Sequence, residues 1–493
     1  MSLQVMGILT FALGLLLMGR RPQWMFMFMA VSTVFGTAAA ISLPALGGAS
    51  ILVPNLFLVF FFLRMYAGYG EGPILSAFAL PGPGFWLLLL TVFGVLSGIF
   101  LPRLFAGMTE TISVTRMFGA RNFISMVPLR PTASNITQSV YAIGGLLCFA
   151  ASYTFFRQTR SAAALVGAML VLATVDLVFA LADIVTYFSG TAWLMDFFRT
   201  ANYGMLTDSV KGGLKRISGT FSEASAFASY TLAVFAVVAS LWLDRLRNGY
   251  VGLLAAALFL AVLLSTSATG LAGLVVVVGF LGIRSLSASL ANPRNGRPSF
   301  LVMGAIVGLL AMLVIMVAMP QFVDQIEAYL DEILFSKANS QSGRERFQWN
   351  AAAFQTFLDT SWIGAGLGSS RASSFLLVLL SNLGVAGAML FLLFAGSVLL
   401  APNGVLRSDT GAVADQVRAV RAAKAGFAAS LATAMISGTV YDLGLLPYLL
   451  AGGAAALSRS VRERQDLDTR AVPLAPLRGK AWATGGATEG RCE

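Results

Sequence analysis

Apolar stretches of membrane-crossing length, separated by short charged or Pro/Gly-marked breaks, recur along almost the whole sequence. A helix that crosses a bilayer needs about 20 mostly apolar residues, and in hydrocarbon only a helix or a closed barrel satisfies its own backbone polar groups. The pattern predicts an all-α, polytopic membrane protein. Reading the runs between breaks gives about 13 spans (12–14). They fall near 4–19, 23–43, 50–66, 85–101, 138–156, 161–182, 224–243, 249–264, 270–284, 299–319, 374–399, 425–440 and 443–458. Apolar residues make up 57% of the chain and charged residues 11%, against roughly 45–50% and 25% in soluble domains, which excludes the soluble globular classes. The first run lacks a basic start and a small-residue cleavage site, so it reads as a span and not as a cleaved leader.

Two domains follow from this reading. Residues 1–458 form the membrane domain, with 320–373 as a large extramembrane loop. Residues 459–493, polar and mixed in charge, read as a disordered cytoplasmic tail.

Histidine is absent and only two cysteines are present. That removes imidazole bases, nearly all zinc sites and any disulfide framework. The net charge of +11 is mostly an orientation signal. Lys and Arg concentrate in loops that the span count puts on one side, which the positive-inside rule assigns to the cytoplasm together with the C-terminus. On the outer side 12 basic residues cancel 12 acidic ones, so nothing here calls for a nucleic-acid partner.

Those outer cations stand where few are expected. The 102–137 loop holds Arg103, Arg116, Arg121 and Arg130, and the 183–223 loop holds Arg199, Lys211, Lys215 and Arg216. The third, 320–373, holds Lys337, Arg344, Arg346 and Arg371. Guanidinium groups at a membrane surface suit a phosphate-bearing ligand, which they pair bidentately. Solvated loop charges or lipid headgroup contacts are the other reading of each.

Within 320–373, Val323, Ile326, Leu330, Ile333 and Leu334 recur at helical spacing, an amphipathic helix on the membrane surface or against the bundle. A second helix starts at a capping box, with Ser342 at the N-cap and Glu345 three residues on. Phe347, Ala351, Phe354 and Leu358 supply its apolar face. Arg344 and Arg346 fall in its first turn, where the dipole favours an anion. They are about 200° apart around the axis. The run from Ile363 to Arg371, with Gly364, Gly366 and Gly368, either lets backbone approach a phosphate or forms a tight turn between helices.

These segments together carry a family resemblance. Ser342-Gly343-Arg344, Trp349, Phe357-Leu358-Asp359, the glycine run and Leu383-Gly384-Val385-Ala386-Gly387 occur in order. They follow Arg216-Ile217-Ser218-Gly219-Thr220-Phe221-Ser222-Glu223 and the polar break Ser265-Thr266-Ser267-Ala268-Thr269-Gly270. The set, over roughly 210–390, resembles the O-antigen ligase/polymerase superfamily (Wzy-type). The resemblance implies a C-type membrane glycosyltransferase of the bacterial inner membrane, inverting and independent of metal or other cofactor. Such proteins take a glycan from undecaprenyl diphosphate at the periplasmic face. The family's diphosphate-holding arginines carry onto Arg216 and Arg344. Trp349 follows Arg344 by five residues where four is commoner, which keeps Arg346 in contention. Ligases of the superfamily place a histidine after the glycine run, where this chain has Arg371 and Ser373. The expectation is therefore a polymerase of exopolysaccharide, capsule or O-antigen repeat units, with a ligase to lipid A-core as the alternative. Membrane lipids and the pathway's flippase and chain-length regulator are the implied partners.

That chemistry needs cations opposite the diphosphate leaving group and a base for the acceptor hydroxyl. Without histidine, Glu223, seven residues after Arg216 at a membrane boundary, is the expected base. A helix N-terminal acid is the alternative reading of the same residue. Arg121, Lys215, Arg346, Arg371, Gly366 and Gly368 complete the candidate substrate-binding set. Asp176, mid-span, is either functional or paired with a buried polar group. Two other classes compete: a lipid-linked-glycan flippase or transporter, and a cell-wall polymerase of the RodA/FtsW type. One mid-span charge, no detectable internal repeat and cations gathered on one face favour surface chemistry over passage.

Overall fold

The computed structural model describes residues 2–43, 49–115, 123–202, 204–211, 214–246, 248–291, 341–403 and 411–470. Among them are fifteen helices and seven short strands. The first third of the chain contains β1 (Ser2–Leu3), α1 (Val5–Met18), α2 (Pro22–Ser32), β2 (Ala39–Leu43), β3 (Ala49–Leu52), α3 (Val53–Tyr69), α4 (Glu71–Ser76) and α5 (Pro83–Leu104). Next come β4 (Glu110–Thr115), β5 (Phe123–Pro128), α6 (Ala133–Thr159), α7 (Ala162–Phe188), α8 (Trp193–Asp196), β6 (Val210–Lys211) and β7 (Leu214–Lys215). The remainder is α9 (Ala224–Leu243), α10 (Asn248–Leu264), α11 (Ala268–Ala291), α12 (Gln341–Asp359), α13 (Phe375–Leu399), α14 (Ala412–Ser437) and α15 (Leu445–Arg470).

Six of these, α5, α6, α7, α9, α11 and α13, are long and apolar enough to cross a membrane, while α1, α3 and α10 are shorter apolar helices. The protein is a mostly helical, membrane-embedded bundle. At its centre lies α9, apolar all round, against α7, α10, α11 and α14. Its stretch from Thr231 to Leu241 is buried without interruption, as expected of a helix with no polar face.

Side-chain ties define two faces. On the loop face, the Thr37 hydroxyl donates to the Thr220 carbonyl (2.7 Å), Asn135 Nδ2 to the Leu367 carbonyl (2.7 Å), and the Asp442 amide to Gln138 Oε1 (3.2 Å). On the opposite face, Arg157 pairs with Glu463 (2.6 Å), Asp244 takes both Arg284 and Arg421, and Gln416 donates to the Arg160 carbonyl.

Several expectations need correction. The apolar run 23–43 is not one helix: α2 ends at Ser32, and residues 39–43 form the middle strand of the antiparallel sheet β1-β2-β3. Short apolar runs do not distinguish strand from helix by periodicity. The all-α expectation thus misses three small sheets, β4-β5 and β6-β7 being the other two. Ser342 is not an N-cap, because α12 already includes Gln341. Leu383–Gly387 is not continuous helix: Gly384 has φ 61° and ψ −163° and breaks α13. The tail is not disordered from 459, since α15 runs on to Arg470 with Arg459 bonded to Tyr153 and Glu463. The span expected at 299–319, the helix around 323–334 and residue Arg121 lie outside the described residues.

Candidate functional site

The site on the loop face is organised by Asp183, near the end of α7. Its carboxylate is 2% exposed. One oxygen pairs with Arg199 Nη2 at 2.6 Å. The other accepts from Lys215 Nζ (3.2 Å), the Ser218 amide (2.8 Å) and hydroxyl (3.2 Å), and the Gly219 amide (3.1 Å). Arg199 also donates to the Gly219 carbonyl, and Lys215 to the carbonyls of Thr207 and Arg216. Two buried cations sharing one carboxylate, with most remaining donors matched, is the arrangement in which buried charge is tolerated.

This knot fixes the loop that enters α9. The Thr220 hydroxyl reaches the Val34 carbonyl, and the Ala201 amide donates to the Thr37 carbonyl. Beneath them Ile217, Phe221 and Phe227 pack with Ala180 and Ala261. Side chains alternate along the extended stretch that follows β7. Lys215 and Ile217 point in, and Arg216 between them turns the other way, half-buried.

Arg216 is placed differently from its neighbour. Its Nε is enclosed, yet among the described residues it has no hydrogen-bond partner. Burial lowers its pKa from the usual arginine value, and the charge of Glu223 opposes that shift. Glu223, half-buried, is the N-cap residue of α9 with extended backbone and no side-chain cap bond. Its carboxylate accepts from the Ser225 hydroxyl. A partly desolvated guanidinium whose Nε has no partner among the described residues, within Coulombic range of a carboxylate at a helix mouth, can receive an oxyanion and leave the carboxylate near it.

The structure therefore places Arg216 within Coulombic range of Glu223, and it withdraws Lys215 from the candidate set, because that ammonium is buried and consumed by Asp183. Gly366 and Gly368 are accounted for by packing. Both have positive φ (96° and 83°), and a Cβ would stand 2.6 Å from the Ser97 carbonyl oxygen and 2.6 Å from the Ser134 carbonyl oxygen respectively. The glycine run is wedged between α5, α6 and the break in α13. Asn382 accepts from the Ser369 and Ser370 amides, and the Ala365 and Gly366 amides donate to the carbonyls of Ser381 and Asn382. Its backbone hydrogen-bonds protein, the tight-turn reading.

Arg344, Arg346 and Arg371 belong to a second assembly. Arg344 is exposed beside a recess lined by Gly343, Phe347, Gln348 and Asn350. Arg346 is half-buried on the side of α12 that also carries Trp349, Ala353 and Phe357. Arg371 is half-buried, two residues before Ser373, whose amide is fixed by Asn350 (2.8 Å).

Sequence reasoning missed Asp183 and Arg199 as a unit. Asp183 lies seven residues after Asp176, on the same helical face, which is the signal that could have found it. Asp176 itself is buried and accepts from the Thr231 hydroxyl at 2.8 Å. Asp442, in the turn before α15, was also missed: burial pushes its carboxyl above the ordinary range, offset by the Gly444 amide that donates to it. Among the described residues no three or more His, Cys, Asp or Glu gather as a metal site requires. Comparison with protein-family models, curated proteins and solved structures gives no match to this chain.

Proposed function

We propose that this protein is a membrane glycosyltransferase that polymerises undecaprenyl-diphosphate-linked repeat units at the outer face of a bacterial inner membrane. The single observation that carries the reading is Arg216: a half-buried guanidinium whose enclosed Nε has no partner among the described residues, within Coulombic range of Glu223. In this reaction the acceptor hydroxyl oxygen bonds to the anomeric carbon as the bond from that carbon to the diphosphate oxygen breaks. The diphosphate leaves with its charge opposite Arg216, and the hydroxyl proton passes to Glu223. Positioned cations in a water-poor site are the largest contribution available to such a step.

The facing of α12 favours Arg346 over Arg344 as the second cation, because Arg346 shares the protein-facing side of that helix. The loop face, which holds all these residues, is then the outer face.

The test is complementation of a deletion strain with Arg216→Ala and Arg216→Lys, reading polymer length on gels and protein in the membrane fraction. Arg216→Ala abolishes polymer with protein retained, and Arg216→Lys restores little, since an ammonium cannot reproduce bidentate pairing. Normal chain length from Arg216→Ala overturns the assignment.

A further inference from the structure

The helix α12 has three sides. At 3.6 residues per turn, Arg346, Trp349, Ala353, Thr356 and Phe357 fall on the side turned to the protein, where Ala353, Thr356 and Phe357 are buried. Arg344, Glu345, Gln348 and Gln355 form an exposed polar side. Between the two, Phe347, Ala351, Phe354 and Leu358 line up within about 60° of one another and are all exposed, Phe347 by 75%. With its polar residues α12 is no membrane span, yet its apolar stripe is not buried against the bundle.

The stripe continues past the helix. Trp362 follows on it, 61% exposed, its ring stacked on Phe357 at 6.2 Å. Its φ is 68° and that of Ser361 is 52°. Two successive non-glycine residues in the left-handed region persist only where surrounding contacts over-determine them. Here the Trp362 amide donates to the Phe357 carbonyl, and the Val385 amide to the Trp362 carbonyl. The second bond joins the stripe to α13 at its break. Val385 is 41% exposed, and Met389, Leu392 and Leu393 beyond it are exposed too. On a helix that crosses the membrane, that face meets lipid tails.

We infer that α12 lies along the surface of the lipid leaflet on the loop face. Its stripe Phe347–Phe354–Leu358–Trp362 is immersed at the boundary between headgroups and acyl chains, and its polar side faces water. The occupant of this face is the lipid surface itself. Continuity with the lipid-facing side of α13, an exposed Trp at the junction, and Arg344 flanking the stripe within reach of headgroup phosphates all fit that occupant. Trp362 is then the hinge point at which an interfacial helix meets a span.

The experiment uses the full chain in phosphatidylethanolamine/phosphatidylglycerol vesicles, with Cys492→Ser and one spin label at a time through Ala351→Cys, Phe354→Cys, Leu358→Cys or Gln355→Cys. Collision of each label with oxygen, which concentrates in lipid, is compared with collision with a water-soluble nickel chelate. The expected result is oxygen exceeding nickel at 351, 354 and 358, and the reverse at 355. Nickel access at 354 and 358 equal to that at 355 places the stripe in water and overturns the inference. Shielding of 354 and 358 from both reagents means protein covers the stripe and overturns it equally. Ala351→Cys, at an exposed small residue, keeps the test readable should a label at Phe354 impair folding.

Discussion

Replacing Asp183 by alanine removes the acceptor around which the loop-face site is built. Arg199 and Lys215, 5% and 2% exposed, would then be buried charges without a counter-ion. The amides of Ser218 and Gly219 would lose their carboxylate acceptor. Breaking a buried pair from one side costs about 3–5 kcal/mol, and the orphaned amides lie within that figure because the contributions are not additive. Lys215→Met is milder, about 1–2 kcal/mol, since Arg199 still neutralises Asp183. Arg216→Ala, which removes a side chain whose Nε has no hydrogen-bond partner among the described residues, should leave stability almost unchanged. At roughly 2 °C per kcal/mol for a large domain, the unfolding temperature should fall on the order of 8 °C for Asp183→Ala and about 2–4 °C for Lys215→Met. Cys148 offers the assay: its thiol is buried between α6 and α15, donating to the Leu445 carbonyl. In a Cys492→Ser background, thiol-reactive dye fluorescence on heating in detergent reports global unfolding. Equal losses from Asp183→Ala and Lys215→Met, or none from Asp183→Ala, would refute the idea that one carboxylate organises this region.

The same assay checks two further expectations. Gly384→Ala places a Cβ at φ 61°, 2.2 Å from the Trp362 carbonyl oxygen, and should cost at least about 1–3 kcal/mol of backbone strain. Gly167→Ala, in open space within α7, should instead gain about 0.5–1 kcal/mol; a loss at Gly167 would contradict the packing described. On the opposite face, the Arg157 hydrogen bonds hold the Glu463 carboxyl below its usual pKa. A depressed carboxyl contributes stability above its unfolded pKa of about 4.3 and loses it as pH falls through the folded value. Wild type should therefore exceed Glu463→Gln at neutral pH by no more than about 1 kcal/mol, Glu463 being 41% exposed. The difference should shrink as pH falls through the folded value and vanish once the carboxyl is protonated in both states, and a gap that widens in acid would be inconsistent with the pairing.

Much of the bundle was legible because apolar runs long enough to cross a membrane are hard to read otherwise. The runs read at 224–243 and 374–399 match α9 and α13 within a residue. Where reading failed, the deciding partner was distant in sequence. Lys215 and Arg216 are indistinguishable as adjacent cations; Asp183, just past the end of the run read at 161–182, decides which is consumed. The spacing Gly364-x-Gly366-x-Gly368 signalled unusual backbone, but its purpose is contact with Ser97 and Ser134, over 230 residues away. Phe347, Phe354 and Leu358 were correctly read as one stripe, while its exposure depended on which side of α12 the bundle occupies.

The central claim is that Arg216 serves a lipid diphosphate and not the fold. Lipid-linked repeat units extracted from a deletion strain, added to proteoliposomes containing wild type or Arg216→Ala protein, test this directly. Wild type should elongate them to a ladder, and Arg216→Ala protein of the same unfolding temperature should leave single repeats unextended. A full ladder from Arg216→Ala, or no elongation by wild type, would contradict it.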